Sequence, residues 1–264
     1  MSTVDSVADS LKRELTRLMS ATDRGAKDTN RAQIVQTIDD LSRSGMDVVV
    51  SDILGEWELL YTDDEVTRSS PFFWAFRKAL TGIEDPLKLV GPKLLSESIF
   101  KITDSIPLKS IGTATQVFTA DGESDGDSNN NSKGNGKGND RGTLTSRIVV
   151  KLNPGNFQSV MATTSVWRTT EEPTLIEVEV QKTEVLESTL AQRVGRLLPA
   201  AVKNSVAAAL GGALPLNSFP SGAALELVKP GSSTVYMRIL YMDKSLRVVK
   251  NEADGKTFVF GRVM

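Results

Sequence analysis

The chain has 264 residues and contains neither cysteine nor histidine. Without cysteine there is no disulfide, no thiolate nucleophile and no cysteine-ligated metal, and nothing marks the redox compartment. Without histidine the commonest general base near neutral pH is missing. So are the Ser-His and Cys-His dyads and the usual transition-metal ligand. Catalysis would have to run on carboxylates, lysine, tyrosine or a borrowed cofactor. No run approaches the ~18 apolar residues of a spanning helix. A net charge of −2 offers no global field for nucleic acid or an anionic membrane. The opening MSTVDSVADS carries Asp5 and Asp9 and no arginine before Arg13. It has neither the apolar core of a secretory signal nor the Arg-rich, acid-poor bias of a transit peptide, so we expect an untargeted or already processed chain. Aromatic residues are also scarce, fifteen in all (nine Phe, three Tyr, three Trp). Against that scarcity, Phe72, Phe73, Trp74 and Phe76 crowd into five positions, followed by Arg77 and Lys78.

What is present is ordinary globular material, 39% apolar and 24% charged. Val4, Val7, Leu11, Leu15 and Leu18 recur at helical spacing and predict a first amphipathic helix. A second is predicted from Asn30, with Gln33 as capping-box partner, through Ile34, Ile38 and Leu41 to a stop at Gly45. Thr22-Asp23-Arg24-Gly25 is a turn between them, so residues 1–46 read as a helical hairpin packed outside residues 47–264. The rest is mainly short alternating segments. Trp57, Leu59 and Tyr61 share one face of the first. Phe100 and Ile102 mark a second, Thr113–Thr119 a third, and Leu144, Ile148, Val150 and Leu152 a fourth. Phe157–Thr169, Leu175–Val185, Thr234–Met242, Leu246–Asn251 and Thr257–Met264 follow. Eight or nine antiparallel strands with hairpin-length connections predict a mainly β protein, an up-and-down barrel.

Three insertions interrupt the strands. Ser70–Gly82 reads as a short helix, with Ser70 as cap, Pro71 at its first position and Gly82 past its end. Asp121–Gly142 is Gly, Asn, Asp and Ser with a few charges and no apolar side chain, so it reads as a disordered loop. Its Asp121, Asp125 and Asp127 do not match a calcium loop, and no metal site is expected. Leu186–Asn217 carries an apolar stripe from Leu186 to Leu210, and Arg193, Arg196 and Lys203 are its only charges after Ser188. It reads as an amphipathic helical insertion divided by Pro199, suited to a membrane surface, to a partner, or to covering a barrel end.

Taken in order, several short motifs resemble the plastid lipid-associated proteins, also called fibrillins or plastoglobulins. They are Thr22-Asp23-Arg24-Gly25; Gly55-x-Trp57-x-Leu59-Leu60-Tyr61-Thr62; and Ile99-Phe100-Lys101-Ile102-Thr103-Asp104. Ile111-Gly112-x-x-x-Gln116, Tyr241-Met242-Asp243-Lys244-Ser245-Leu246-Arg247 and the final Phe258-Val259-Phe260 with Arg262 follow. The resemblance runs from about residue 11 to the end. It implies a lipocalin-like barrel in a plastid, at thylakoid, plastoglobule or stroma, that binds or shuttles carotenoids, quinones or fatty acids with no catalytic site and no cofactor. The Asp121–Gly142 loop departs from that pattern, and a plastid-targeting segment is missing.

Each residue singled out has a plainer reading beside the functional one. Gly55-x-Trp57 resembles the opening of lipocalin barrels, where the Trp plugs the closed end under an Arg; Arg262 is the first candidate and Arg247 the second. Such a cation–π contact contributes about 0.5–2 kcal/mol. Phe72, Phe73, Trp74 and Phe76 form either a core plug or a lid at the barrel mouth, with Arg77 and Lys78 facing lipid headgroups. Asp63, Asp64 and Glu65 read as a solvated turn. Asp243 and Arg247 either pair with each other, the reading preferred here, or hold a ligand's polar end. Met161, Trp167, Val178, Val180, Met237 and Ile239 line any cavity or fill a solid core; the methionines favour varied apolar ligands.

Burying ten to fifteen methylenes yields roughly 8–12 kcal/mol gross. That leaves micromolar affinity after association costs, with no catalytic residue required. Three cations supply only about 3 kcal/mol toward a membrane, so the apolar stripe or the Phe/Trp cluster would have to insert as well. The expectation is a non-catalytic binder of a hydrophobic small molecule at a plastid membrane or lipid droplet. One alternative is a scaffold recruiting a lipid- or isoprenoid-pathway enzyme as protein partner. Another is a lipid-modifying enzyme working through carboxylate or Tyr.

Overall fold

The computed structural model describes residues 3–25, 27, 30–44, 50–81, 109–121, 140–152, 157–188 and 218–263. Helices α1 (Thr3–Ser20) and α2 (Arg31–Arg43) come first. Strand β1 (Gly55–Thr62), helix α3 (Pro71–Leu80), and strands β2 (Lys109–Ala120), β3 (Arg141–Leu152), β4 (Phe157–Thr169) and β5 (Leu175–Ser188) follow. The two-residue β6 (Ser218–Phe219), helix α4 (Ser221–Val228), β7 (Thr234–Met242), β8 (Leu246–Asn251) and β9 (Thr257–Arg262) complete the set. Short 3-10 turns at Val50–Ile53 and Val66–Ser69 flank β1.

The strands pair antiparallel in chain order from β1 to β5, then through β7, β8 and β9, and β9 returns to β1. Eight strands thus close an up-and-down, lipocalin-like barrel, and β6 adds to β5 at Thr183 and Glu184 beside the ring. The alternation that predicted strands also sorts the side chains. Trp57, Leu59, Ala114, Phe118, Leu144, Ile148, Trp167, Val178, Met237, Val249 and Phe260 are buried in one interior cluster.

The α1–α2 hairpin packs on the outside. Leu15, Leu18, Met19, Ile34, Ile38 and Leu41 meet Tyr61, Tyr241, Leu246, Val248 and Val259 in a second cluster. This explains β8, which is buried on both faces: Leu246 and Val248 meet the hairpin while Arg247, Val249 and Asn251 face inward. Three expectations change here. Val7 is 55% exposed, and Ala8 and Met19 take its place in the buried stripe. A register shift between Leu59 and Tyr61 turns Tyr61 away from the interior and onto the hairpin. The Asn30–Gln33 capping box does not form, because Asn30 is left-handed (φ 61°) and its side chain makes no cap bond.

The Thr22–Gly25 turn fastens the hairpin to the barrel. Asp23, Arg24 and Gly25 all have positive φ (51°, 58° and 96°), a run that costs energy at the two non-glycine positions. The strain is held by contacts. Thr22 Oγ1 donates to Met19 O (2.8 Å) and accepts from Gly25 N (3.0 Å). The N–H of Thr62 donates to Arg24 O (3.2 Å), and the Arg24 guanidinium donates to Gly112 O. A Cβ on Gly25 would stand 1.8 Å from Thr62 O, so only glycine lets the turn lie against β1.

Two boundaries move. Strand β5 runs on to Ser188, so Leu186, Glu187 and Ser188 are strand and not the start of a helical insertion. Strand β3 already includes Arg141 and Gly142 of the expected loop. The segment around Phe100 and Ile102, residues 122–139, and residues 189–217 with Arg193, Arg196 and Lys203 lie outside the described residues.

Candidate functional site

One end of the barrel is built around Trp57. Its Nε1 donates to Ile53 O at 2.8 Å, which ties the 3-10 turn across the opening. Arg262, paired with Trp57 across β1 and β9, lies 4.3 Å from the ring centroid. The same guanidinium donates to Leu54 O (2.7 Å) and to Asp52 O. Gly55 (φ 110°) makes room for it, since a Cβ there would stand 2.8 Å from Arg262 Nη1. The Gly-x-Trp motif is therefore a closure, and both candidate arginines stack on Trp57, Arg247 at 4.9 Å.

Helix α3 occupies the opposite end. Its Trp74 ring lies 5.2 Å from that of Phe258, which pairs with Thr62 at the far end of β1. Pro71 sits at the first turn as predicted, but the Ser70 side chain makes no cap bond. Trp74 is 2% exposed and its Nε1 donates to Arg68 O at 2.6 Å. Ala75 and Ala79 are buried beside it, while Phe72, Phe73 and Phe76 are only partly buried. Phe72 packs edge-on to Phe73 (5.2 Å) and stacks on Phe76 (5.9 Å). The helix thus plugs the core with one face and presents aromatics at the barrel end with another.

The cations following the aromatics have partners within the fold. Arg77 donates to Asp254 and, at 3.3 Å, to Asp64. Lys78 Nζ donates to Gly231 O and Thr234 O, both at 2.7 Å. They fasten α3 to neighbouring turns. Of the Asp63–Glu65 turn, Glu65 is solvated as expected, while Asp63 and Asp64 are half-buried. Asp64 is paired with Arg68 at 2.6 Å and its side chain is 7% exposed. Burial pushes the Asp63 carboxyl up, although it accepts from Thr257 N at 2.9 Å.

All ten residues proposed to meet ligand fall in the interior cluster. Trp74, Trp167, Val178, Val180, Met237 and Ile239 are buried in it; Phe72, Phe73, Phe76 and Met161 pack against it partly buried. Trp167 Nε1 is satisfied by Thr119 O at 3.1 Å, and its ring meets Phe118 edge-on at 6.0 Å.

What sequence reasoning missed is a polar layer inside the barrel. Gln116 pairs with Ser146, which pairs with Thr163, which pairs with Thr183 across β2, β3, β4 and β5. Thr163 and Thr183 hydroxyls are 3.2 Å apart, and Thr183 is 3.0 Å from the Ser221 hydroxyl of α4. Gln116 Nε2 donates to Ser69 O at 3.0 Å, joining the layer to the turn that leads into α3. Polar residues alternating inward on a strand carry no sign of their direction until the register is known; Gln116 stood in a motif without a role.

Arg247 completes this layer: its Nη2 donates to Gln116 Oε1 at 2.6 Å. The expected Asp243–Arg247 pair does not form, because the side chains lie on opposite sides of the sheet. Asp243 is outside, accepting from Lys12 Nζ (2.7 Å), Tyr241 OH (2.9 Å), Ser245 N (2.7 Å), Ser245 Oγ (2.9 Å) and Leu246 N (2.8 Å). Burial raises its pKa, but these bonds outweigh that and bring it down to about 2. Burial, then the Asp243 acceptor, pushes the Tyr241 hydroxyl above the ordinary tyrosine range.

All three tyrosines lie outside the barrel: Tyr61 and Tyr241 under the hairpin, and Tyr236 exposed, donating to Glu177 at 3.3 Å. Among the described residues no carboxylate is fully buried, and no cluster has the ligands to hold a metal ion. A shallow groove of about 460 Å³ between α1 and the barrel is lined by Asp9, Lys12, Arg13, Thr16, Leu60 and Leu246. Its Lys12 is already committed to Asp9 and Asp243, each at 2.7 Å. No helix among the described residues is long and apolar enough to cross a membrane. No family model, curated protein or solved structure matches this chain.

Proposed function

We propose that the protein is a non-catalytic carrier of a hydrophobic small molecule, of the plastid lipid-associated type, working at a thylakoid or plastoglobule surface. The observation that carries this reading is the lining of the α3 end, where Phe72, Phe73, Phe76 and Met161 pack on the buried interior yet stay partly exposed. Aromatic and methionine side chains in that position offer dispersion contact and adjustable shape to an isoprenoid, quinone, carotenoid or acyl chain. A closed barrel supplies the rigid concave wall. Placement of the tyrosines outside argues against a Tyr-based lipid-modifying enzyme.

The test is to strip the full chain of lipid and titrate it with fatty acids, a plastoquinone analogue and a carotenoid, alongside mass spectrometry of lipids extracted from the protein as purified from its source. Saturable, stoichiometric uptake of one class supports the reading. Uptake of none, together with a stoichiometric protein partner insensitive to lipid, replaces it with the scaffold alternative.

A further inference from the structure

Arg247 is the one charged side chain among the described residues that is fully buried. It projects into the barrel from β8, and its guanidinium carbon lies 4.6 Å from the Phe260 ring centroid, 4.7 Å from Phe118 and 4.9 Å from Trp57. One donor is used, Nη2 to Gln116 Oε1. Nε and Nη1 are buried and meet no acceptor among the described residues. Burial first, and then the like charge of Arg262, destabilise the cation.

Ring faces offset part of that cost, but they leave the in-plane N–H groups unanswered. A buried cation with open donors is expensive to maintain and is relieved most directly by an anion. Two further interior atoms are also buried without partners, Ser165 Oγ and Ser70 Oγ. Ser165 lies on the inward face of β4, between Thr163 and Trp167. The barrel therefore contains a buried cation with open donors, joined through Gln116 to the polar layer that crosses its apolar interior.

We propose that Arg247 anchors the carboxylate of a monoanionic amphiphile, a long-chain fatty acid or another acid with an apolar body, inside the barrel. The inference rests on the carrier reading above and names the ligand's head group. A monoanion fits because Arg247 is the cation with two open donors among the ring faces: Arg262, the next positive charge, spends Nη1 and Nη2 on Leu54 O and Asp52 O and keeps only Nε unpartnered. A phosphate monoester would bring a second charge with no cation to meet it. Orientation follows from the ends of the barrel. The 3-10 turn and Arg262 close the side beyond Trp57, so a chain held by its head at Arg247 extends toward Phe72, Phe73 and Phe76 of α3. Gln116 positions the guanidinium and links it to the Ser69 carbonyl ahead of that helix.

The delipidated full chain titrated with cis-parinaric acid and with its methyl ester decides the matter, since the two differ only at the head. A charge-assisted hydrogen-bonded anchor is worth about ten-fold or more in affinity, so the acid should bind at least that much more tightly. Arg247→Met should abolish the difference by weakening the acid alone. Gln116→Leu should narrow it while leaving the ester untouched. Equal binding of acid and ester, or an acid preference that survives Arg247→Met, overturns the anchor and leaves the carrier reading standing. Saturable binding of neither overturns both. Should Arg247→Met fail to fold, the acid-to-ester ratio of the unmodified chain and the Gln116→Leu variant still decide.

Discussion

Replacing Asp243 by Asn is the sharpest perturbation of the joint between hairpin and barrel. The carboxylate accepts from two backbone N–H groups that shape the β7–β8 turn, from two hydroxyls, and from Lys12 of α1. Its side chain is 14% exposed and that of Lys12 23%, so solvent screening is limited. In the folded chain its pKa is held down at about 2, against an ordinary aspartate value of 3.8. At 1.36 kcal/mol per unit this difference corresponds to about 2 kcal/mol of stability from ionised Asp243. Because the folded value is the depressed one, the unfolded chain binds more protons between about pH 4 and pH 2. The contribution is therefore complete above the unfolded pKa, roughly halved near pH 3, and lost as pH falls through about 2. Urea unfolding followed by Trp fluorescence, with unmodified and Asp243→Asn proteins side by side, should show a gap of about 2 kcal/mol at pH 6 that shrinks to about half at pH 3. A gap that is constant between those pH values would refute the electrostatic account. A gap below ~0.5 kcal/mol at pH 6 would show that the network is no more than a surface pairing.

Gly25→Ala should destabilise by more than about 2 kcal/mol in chemical denaturation, combining a left-handed alanine with a clash against Thr62 O; an unchanged midpoint would mean that the turn can lift off β1. Arg262→Ala removes the ring contact to Trp57 and the bonds to Leu54 O and Asp52 O, and should cost about 2–4 kcal/mol. Its measurable companion is a red shift in Trp fluorescence as the closed end admits water, and the absence of both effects would remove Arg262 from the closure. Trp74→Ala opens a core cavity under α3 and should cost about 3–5 kcal/mol by thermal or urea unfolding; a loss under ~1 kcal/mol would mean that α3 is a detachable lid and not a plug.

The barrel was legible because its strands obey a two-residue period that needs no knowledge of partners. Phe157–Thr169, Thr234–Met242 and Leu246–Asn251 are found in the structure with the bounds their alternation predicts. Tyr61 was misplaced for a related reason. A register shift after Leu59 inverts the face of every residue beyond it, and nothing in GEWELLYT marks the shift. Helix caps failed differently: Asn30 and Ser70 have the right side chains, yet neither makes a cap bond; Asn30 is held in a left-handed backbone, whereas Ser70 has the extended backbone of an ordinary cap and its hydroxyl still meets no partner.

The site was harder to read because its most informative residue departs from the usual meaning of its type. An arginine at the second position of a strand, four after an aspartate, suggests a surface ion pair. Strand geometry forbids it. Leu246 and Val248 are spent on the outer face against α1 and α2, which sends Arg247 inward among Trp57, Phe118 and Phe260. The hairpin therefore does more than cover the barrel: by drawing the apolar positions of β8 outward, it fixes a cation inside. Asp243, left outside, then becomes the clamp that holds α1 in place, which makes its network with Lys12 and the inward setting of Arg247 two results of one register. Asp243→Asn should accordingly weaken the clamp without exchanging the partner of Arg247, and a crystal structure of that variant in which Gln116 no longer accepts from Arg247 would break the link between them.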